Sequence, residues 1–206
     1  LSKIQTAHIP QIDKLDEESL MIQMETIQSI FLEKFLSCKK LKELEILQAR
    51  AFSKLSEQPW MNCHFDFERR NLMADSSNEI AVIDFQDLCI GPVGIDLAGI
   101  IVDHYISYSD QLIDNALKHY VQCLQLDVSV KDVNEWLRWG GIQRNMRILG
   151  TLSNLYIQDN RTFRLKDLPG ILENLITLIP NDEFMSLKEH LSSAVMPKLH
   201  EELEAL

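Results

Sequence analysis

Apolar residues recur every three or four positions between residues 16 and 59, which is the spacing of one face of an α-helix. The pattern predicts two helices. The first begins after the acidic turn Asp16-Glu17-Glu18 and continues to Phe35. The second runs from Lys39 to Leu55 and ends before Pro59.

The spacing of the apolar residues then changes from that of a helix to that of a strand. Residues 71–74 and 80–84 are short apolar runs, which predict two strands. Residues 75–78, with the sequence DSSN, are typical of a turn. The segment is therefore predicted to be a β-hairpin.

The helical period returns after the pair Gly91-Pro92. Ser129 and Asp132 have the spacing of a capping box at the start of a long helix, in which Gly140-Gly141 is expected to introduce a kink. The other predicted helices cover residues 96–105, 110–124, 171–179 and 182–206, the last with a break near Pro197.

Together these elements predict a mainly α fold that carries a small β-hairpin. We expect one helical domain over residues 1–206. Its parts are a catalytic loop and metal-binding hairpin (62–96), a helical substrate-binding part (97–180) and a C-terminal helix (182–206).

Charge and composition narrow the possible partners. The net charge of −11 argues against nucleic acid and against an anionic membrane surface. No apolar run is long enough to span a membrane, and the first residues do not have the pattern of a signal peptide. The four cysteines, Cys38, Cys63, Cys89 and Cys123, form no C-x-x-C pair, so we interpret them as buried, reduced thiols of a cytoplasmic protein.

The hairpin and the loop before it carry a set of residues suited to phosphoryl transfer. Asp66 lies in the loop, where a carboxylate can orient a hydroxyl group and accept its proton. Asn71 and Asp84 lie at the two ends that an antiparallel hairpin brings together, so their oxygens are candidate Mg²⁺ ligands. His64 is expected to pack beneath the loop and hold it in place.

These residues resemble the catalytic core of the aminoglycoside phosphotransferase and choline kinase family, which shares the protein-kinase-like fold. His64-x-Asp66-x-x-x-x-Asn71 resembles its catalytic loop, and Ile83-Asp84-Phe85-Gln86-Asp87 resembles its metal-binding motif. Flanking residues, including Gly91-Pro92 and Gln143-Arg144, are similar to those of bacterial sugar kinases that recycle cell-wall N-acetylmuramate and N-acetylglucosamine.

The resemblance implies further roles. Asp96 would brace the catalytic loop through backbone hydrogen bonds, and ATP would be the donor, held with Mg²⁺. Met73 and Ile83 would lie under the adenine, although plain core packing also explains them. Gln86 stands where protein kinases carry a glycine, a departure that the small-molecule branch of the family commonly shows.

Other polar residues are candidates for contacts with an amino-sugar substrate: Arg69, Arg70, Asp87, Asp103, His104 and Arg144. Asp87 could instead add to the magnesium site, and each of the others has an alternative explanation. The loop arginines could be solvated or paired with nearby acids, and Asp103 with His104 could cap a helix end. Arg144 could offer its fork to a carboxylate, or form a surface salt bridge.

No glycine precedes Gly91, so the chain shows no glycine-rich loop to cover phosphates. The chain also begins without Met. We therefore expect the C-terminal lobe of a kinase without its N-terminal β lobe, a chain that is inactive alone and would dock that lobe near Met73 and Ile83. The alternatives are a non-catalytic, kinase-derived helical binding domain, or a kinase of another small alcohol such as choline or an aminoglycoside.

Overall fold

A computed structural model of the chain describes residues 1–74, 76–77, 79–124 and 126–206. The described chain divides into two compact units. Unit 1 comprises residues 1–16 and 54–141, and unit 2 comprises residues 17–53 and 142–206. The expectation of a single domain over residues 1–206 stays a prediction.

Most of the described chain is helical, which confirms the predicted fold class. The helices are α1 (Ser2–Gln5), α2 (Glu17–Thr26), α3 (Lys42–Ser56), α4 (Val93–Ile101), α5 (Asp110–Leu124), α6 (Val130–Asp159), α7 (Leu168–Leu178), α8 (Asn181–His190) and α9 (Met196–Glu204). Two segments have π-helical hydrogen bonding, Ile27–Phe35 after α2 and Leu191–Val195 between α8 and α9. Short 3₁₀ turns cover Arg69–Asn71 and Leu165–Asp167.

The described residues form two antiparallel sheets of two strands each, where the sequence predicted only one hairpin. Strand β1 (Trp60–Cys63) pairs with β4 (Cys89–Pro92), and Cys63 lies opposite Cys89. Strand β2 (Leu72–Ala74) pairs with β3 (Ile80–Val82), and Met73 lies opposite Ala81. The predicted hairpin is therefore present with shorter strands, and Asp75 and Asn78 of its predicted turn lie outside the described residues.

Helices α4, α5 and the first part of α6 enclose a core in unit 1. Its buried side chains are Leu97, Ala98, Leu117, Tyr120, Leu124, Val133 and Leu137. Two glycines allow α4 and α6 to approach each other closely, because a Cβ on Gly140 would overlap the backbone of Gly94. Helix α6 continues without interruption through Gly140-Gly141, so this close approach, and not a break, accounts for the first of the two glycines.

Unit 2 has its own buried core. Leu20, Met24, Ile27, Phe31, Leu44, Leu47, Ile142, Met146, Leu149, Ile171, Leu175 and Leu187 are all almost fully buried. Gln48 of α3 is also buried, and its amide donates to the carbonyl oxygen of Met24 at 2.9 Å. This bond satisfies a buried polar side chain between two helices of the unit.

The start of α6 shows the predicted capping box. The Asp132 backbone N–H donates to Ser129 Oγ at 3.2 Å, and Ser129 donates its backbone N–H to Asp132 Oδ2 at 2.9 Å. The Ser129 hydroxyl donates to the same carboxylate oxygen at 2.6 Å, and these bonds lower the Asp132 pKa. In the described part of the chain, no helix combines the length and the apolar character that a membrane span requires.

Candidate active site

The Asp66 loop, residues 64–71, connects β1 to β2 and is anchored on a buried carboxylate. Asp96 lies in the first turn of α4 and is fully buried. Its two oxygens accept the backbone N–H groups of His64 at 2.6 Å and of Phe65 at 2.8 Å. Burial raises the Asp96 pKa, and these bonds oppose that rise by favouring the carboxylate.

The anchor holds the loop in an unusual conformation. Phe65 has a φ of 69°, in the left-handed region that a residue with a Cβ adopts at a cost of about 1–3 kcal/mol. Its N–H bond to Asp96 and its burial keep it there. The conformation turns the chain directly before Asp66, so the direction in which Asp66 leaves the loop depends on Asp96.

His64 lies beneath the loop, as its position in the sequence predicts. The ring is 1% exposed, and Nε2 is 2.9 Å from the carbonyl oxygen of Ile83, so this nitrogen carries the proton and donates. The ring also packs edge-on against Phe67, with 6.0 Å between ring centroids. His64 therefore connects the loop to the segment that leads into Asp84.

Asp66 and Asn71 contact each other within the loop. The Asn71 side-chain nitrogen donates to the Asp66 carbonyl oxygen at 2.8 Å and to Asp66 Oδ2 at 3.2 Å. Asn71 is 8% exposed, and Asp66 is half-buried. Both donations use the amide nitrogen, so the amide oxygen of Asn71 is the atom that can face a cation.

Asp84 follows the residue that is paired with Asn71. The Ile83 backbone N–H donates to the Asn71 carbonyl oxygen at 3.0 Å, one position beyond the ladder of β2 and β3. Asp84 is exposed and has a φ of 66°, so the chain turns sharply there. Ile83 is the partner of Asn71, so Asp84 lies one residue beyond that partner. The two ends of the hairpin therefore meet as predicted, although Asn71 and Asp84 themselves lie just outside the strands.

The donor chemistry of this pair fits Mg²⁺. An amide oxygen and a carboxylate are hard oxygen ligands, and Mg²⁺ is usually held by one or two carboxylates together with substrate phosphates. Among the described residues, no three His, Cys, Asp or Glu side chains converge to hold a metal by themselves. A cation at Asn71 and Asp84 would be completed by phosphate oxygens and by water.

The residues predicted to lie under the adenine are open to solvent. Met73 is 54% exposed and Ile83 is 44% exposed, so the alternative of plain core packing is wrong for both. Ile80 and Phe85 are also large and mostly exposed, at 65% and 66%. Because Met73 is paired with Ala81, Met73 and Ile83 lie on one face of the hairpin and Ile80 lies on the other. We call the four exposed side chains together, Met73, Ile80, Ile83 and Phe85, the hairpin apolar surface.

Both loop arginines are paired with acids. Arg69 donates to Asp103 Oδ2 at 3.3 Å, and its guanidinium lies over the ring of Tyr105, 5.8 Å from the centroid. Arg70 forms an ion pair with Glu68, whose carboxylate raises the Arg70 pKa against the effect of burial. The alternative of pairing with nearby acids is therefore correct for both, and each guanidinium stays about half exposed.

Asp103 and His104 lie just after α4, which ends at Ile101 and is shorter at this end than the predicted helix 96–105. Asp103 Oδ1 accepts the backbone N–H of Tyr105 at 2.7 Å, which is a local turn after the end of α4 and does not cap the helix. The same carboxylate also holds Arg69, so it connects the end of α4 with the Asp66 loop. The half-buried His104 ring packs against Tyr105 with 4.0 Å between centroids.

The remaining two candidates, Asp87 and Arg144, differ in exposure. Asp87 is exposed in the turn between Asp84 and β4. Arg144 belongs to unit 2 and is only 5% exposed, so its interpretation as a surface salt bridge is wrong: the side chain is buried.

Sequence reasoning did not single out Glu68 and Tyr105. Glu68 is 8% exposed, pairs with Arg70, and accepts the Asn71 backbone N–H at 2.9 Å through its carbonyl oxygen. Tyr105 contacts both Arg69 and His104. In the sequence, Glu68 stands directly before two arginines, and Tyr105 stands directly after Asp103-His104. These neighbours were the signals that could have identified the two residues.

A known protein family matches the segment of the chain that contains this site. The phosphotransferase enzyme family matches residues 20–127, which include the Asp66 loop and Asp96. An N-acetylmuramate/N-acetylglucosamine kinase of Neisseria meningitidis is 28% identical over 126 residues, covering 59% of this chain and 37% of that protein.

A second similar protein has the same name. The N-acetylmuramate/N-acetylglucosamine kinase of Pseudomonas aeruginosa is 29% identical over 143 residues, covering 66% of this chain and 42% of that protein. The chain therefore matches about two fifths of the length of each of these curated relatives.

Proposed function

The chain belongs to the phosphotransferase enzyme family, and from this premise we propose that it carries the catalytic residues of a small-molecule kinase. The observation that carries the proposal is the anchoring of the Asp66 loop. A fully buried Asp96 accepts two successive backbone N–H groups directly before Asp66, which fixes a carboxylate beside the Asn71 amide. Such fixed positioning is what phosphoryl transfer requires from a protein.

In this proposal Asp66 orients the acceptor hydroxyl group and accepts its proton. The Asn71 amide donates to Asp66 Oδ2 at 3.2 Å, so it holds the carboxylate that would accept the hydroxyl proton. His64 keeps the loop against the Ile83 carbonyl. These residues bind and orient, and the only proton that moves goes to Asp66.

Mg²⁺, when bound, would offset the negative charge of the ATP phosphates during transfer. Asn71 through its amide oxygen and Asp84 through its carboxylate are the residues proposed to hold it. Met73 and Ile83 are proposed to contact the adenine, because both side chains are apolar and about half exposed. The hairpin apolar surface around Met73 and Ile83 is also proposed to receive a β-rich N-terminal lobe.

We propose an amino sugar as the acceptor, N-acetylmuramate or N-acetylglucosamine. The names of two relatives support this choice, at 28% and 29% identity. Arg69, Arg70, Asp87 and His104 are the proposed sugar contacts on unit 1, and Asp103 holds Arg69 in place. Arg144 is retained as a proposed sugar contact, although its burial makes it the least accessible of the set.

The test is an acceptor panel assayed with ATP and Mg²⁺. Any longer parent chain that contains these residues is incubated with N-acetylmuramate, N-acetylglucosamine, choline and an aminoglycoside, and the phosphorylated product is measured. We expect product from the amino sugars and none from the other two acceptors. The 206-residue chain assayed alone is expected to give no measurable turnover.

The outcomes separate the alternatives. Product from choline or the aminoglycoside would support the proposed kinase activity and contradict the proposed amino-sugar substrate. Sugar binding by calorimetry with no product from any acceptor would instead support a non-catalytic binding domain. Rapid transfer by the chain alone would contradict the proposal that a second lobe is required.

A further inference from the structure

Cys63 and Cys89 lie directly opposite each other in the sheet of β1 and β4. Directly opposed residues in an antiparallel pair have Cα atoms about 4.5 or 5.5 Å apart, depending on the hydrogen-bonding position. A disulfide requires a Cα separation of about 4.4–6.8 Å. The backbone at this register position therefore suits a disulfide without any movement of the strands.

The two sulfur atoms lie on the same face of the sheet. A Cβ placed on Gly91 would be 3.7 Å from Cys63 Sγ and 3.7 Å from Cys89 Sγ. The thiols hydrogen bond to each other, and neither is in a disulfide. Gly91 leaves the space next to both sulfurs open, so no side chain at that position separates them.

The two thiols have different surroundings. Cys89 is half-buried, and the hydrogen bond from Cys63 lowers the Cys89 pKa, which favours the reactive thiolate. Cys63 is fully buried, and the bond to Cys89 together with burial raises the Cys63 pKa. One sulfur can therefore be reached by a small oxidant, while the other is shielded and adjacent.

We infer that Cys63 and Cys89 form a redox-modification site that closes to an intrachain disulfide when the protein meets a hydroperoxide. The oxidant reaches Cys89 first, and Cys63 resolves the product. Neither residue belongs to the proposed phosphoryl-transfer machinery, so the inference does not depend on the proposed function.

The chemistry balances in two steps. The Cys89 thiolate attacks one peroxide oxygen, the O–O bond breaks, and Cys89 becomes a sulfenic acid while the leaving hydroxide takes a proton to form water. The Cys63 sulfur then attacks the Cys89 sulfur, the S–O bond breaks, and the departing hydroxide takes the Cys63 proton. Two thiols lose two electrons in total, and one hydroperoxide is reduced; with hydrogen peroxide the products are one disulfide and two waters.

The position of the bond relates it to the Asp66 loop. The closed ring runs from Cys63 to Cys89, and Asp66, Asn71 and Asp84 all lie within it. The bond would fix the strand before the loop to the strand after Asp84. Because a cross-link restricts the unfolded chain, the oxidised protein should resist thermal unfolding better than the reduced one.

The other two cysteines provide the contrast. Cys123 lies beside His119, with 3.5 Å between Sγ and Nε2, and Cys38 belongs to unit 2. In the described part of the chain, neither faces a cysteine across a strand pair. The variant Cys38→Ser/Cys123→Ser therefore leaves only the proposed pair.

The experiment treats this double variant of the full chain with hydrogen peroxide and follows it by intact mass and tryptic mapping. Trypsin cuts after Arg69 and Arg70, so the two cysteines fall in separate peptides, 55–69 and 71–118. We expect a loss of two hydrogens and a linked pair of these peptides, reversed by dithiothreitol. The thermal midpoint should rise by about 5 °C on oxidation.

Adding Cys89→Ser to the double variant is the matched control and should abolish the link, since Cys63 then has no partner. A Cys89 that stops at sulfenic or sulfinic acid with Cys63 still a thiol would overturn the inference. A link between two chains in place of the intrachain one would overturn it equally.

Discussion

The backbone N–H of His64 donates a 2.6 Å hydrogen bond to the carboxylate of Asp96. This bond joins the start of the Asp66 loop to the first turn of α4, at a carboxylate that is fully buried. The second oxygen of Asp96 holds Phe65 in its left-handed conformation. One side chain therefore controls both the position of the loop and its direction.

Replacement of Asp96 by Asn should weaken unit 1. The amide has only one acceptor oxygen, so its NH₂ group would face one of two buried backbone N–H donors. We expect the free energy of unfolding to fall by about 2–3 kcal/mol, measured by urea denaturation. Asp114→Asn, at a half-exposed position of α5, is the matched control and should change the free energy of unfolding by less than about 0.5 kcal/mol. An Asp96→Asn variant as stable as the wild type would contradict the anchoring role.

Tyr120 should make unit 1 sensitive to alkali. Its hydroxyl is buried and donates to Gln5 Oε1 at 2.5 Å, and burial raises the Tyr120 pKa above the ordinary value of 10.0. Above that pH an unfolded tyrosine releases its proton while the folded one retains it, so stability present below pH 10.0 is lost as the pH rises further.

The test compares Tyr120→Phe with the wild type. At pH 8 the variant should be about 1 kcal/mol less stable, because Gln5 loses its donor. At pH 11 the gap should shrink, because the wild type alone carries the penalty of keeping Tyr120 protonated. Tyr105→Phe, which removes a hydroxyl from a ring that is 46% exposed, is the control. A gap that does not change with pH would disprove the assignment to Tyr120.

The close approach of α4 and α6 should not tolerate a side chain at Gly140. A Cβ there would overlap the backbone of Gly94 and Ile95, which cannot yield as a flexible side chain can. We expect Gly140→Ala to lower the free energy of unfolding by about 3 kcal/mol or more. Asn134→Ala, at an exposed position of the same helix, should have an effect near zero in the same urea titration. Equal effects for the two variants would refute the packing argument.

The hairpin apolar surface should promote self-association of the chain. It presents four large apolar side chains that are each 44–66% exposed. Replacing Ile80 and Phe85 by Ser should lower the associated fraction in sedimentation velocity experiments at high protein concentration. Ile22→Ser removes an isoleucine that is 55% exposed in unit 2 and should have no such effect. A wild-type chain that sediments as a clean monomer would count against this surface as a docking site.

Much of the helical fold could be predicted from the local pattern of apolar and polar residues. Helix α5 has the predicted bounds, Asp110–Leu124, because its apolar period is regular, and the Ser129–Asp132 capping box marks the start of α6. The sheet of β1 and β4 was missed. Its strands are four residues each, one contains Gly91 and Pro92, and their pairing joins segments that are distant in sequence.

The candidate site likewise has some features that the local sequence predicts and others that only the folded chain shows. Asp66, Asn71 and Asp84 could be proposed from spacing, because a hairpin places its ends together. The pairing of Arg69 with Asp103 could not, since 34 residues separate the two and only the folded chain brings them into contact. The exposure of Met73 and the burial of Arg144 likewise depend on packing that local pattern does not contain.

Phosphoryl transfer by the Asp66→Asn variant tests the central proposal most directly. Asn keeps the size of the side chain and removes the carboxylate that would accept the hydroxyl proton. In the form of the protein that transfers phosphate, we expect kcat for the best acceptor to fall by about 100- to 10,000-fold, with an unchanged urea unfolding curve. Asp114→Asn should retain wild-type kcat. An Asp66→Asn protein that transfers phosphate at the wild-type rate would contradict the proposal that Asp66 is the base.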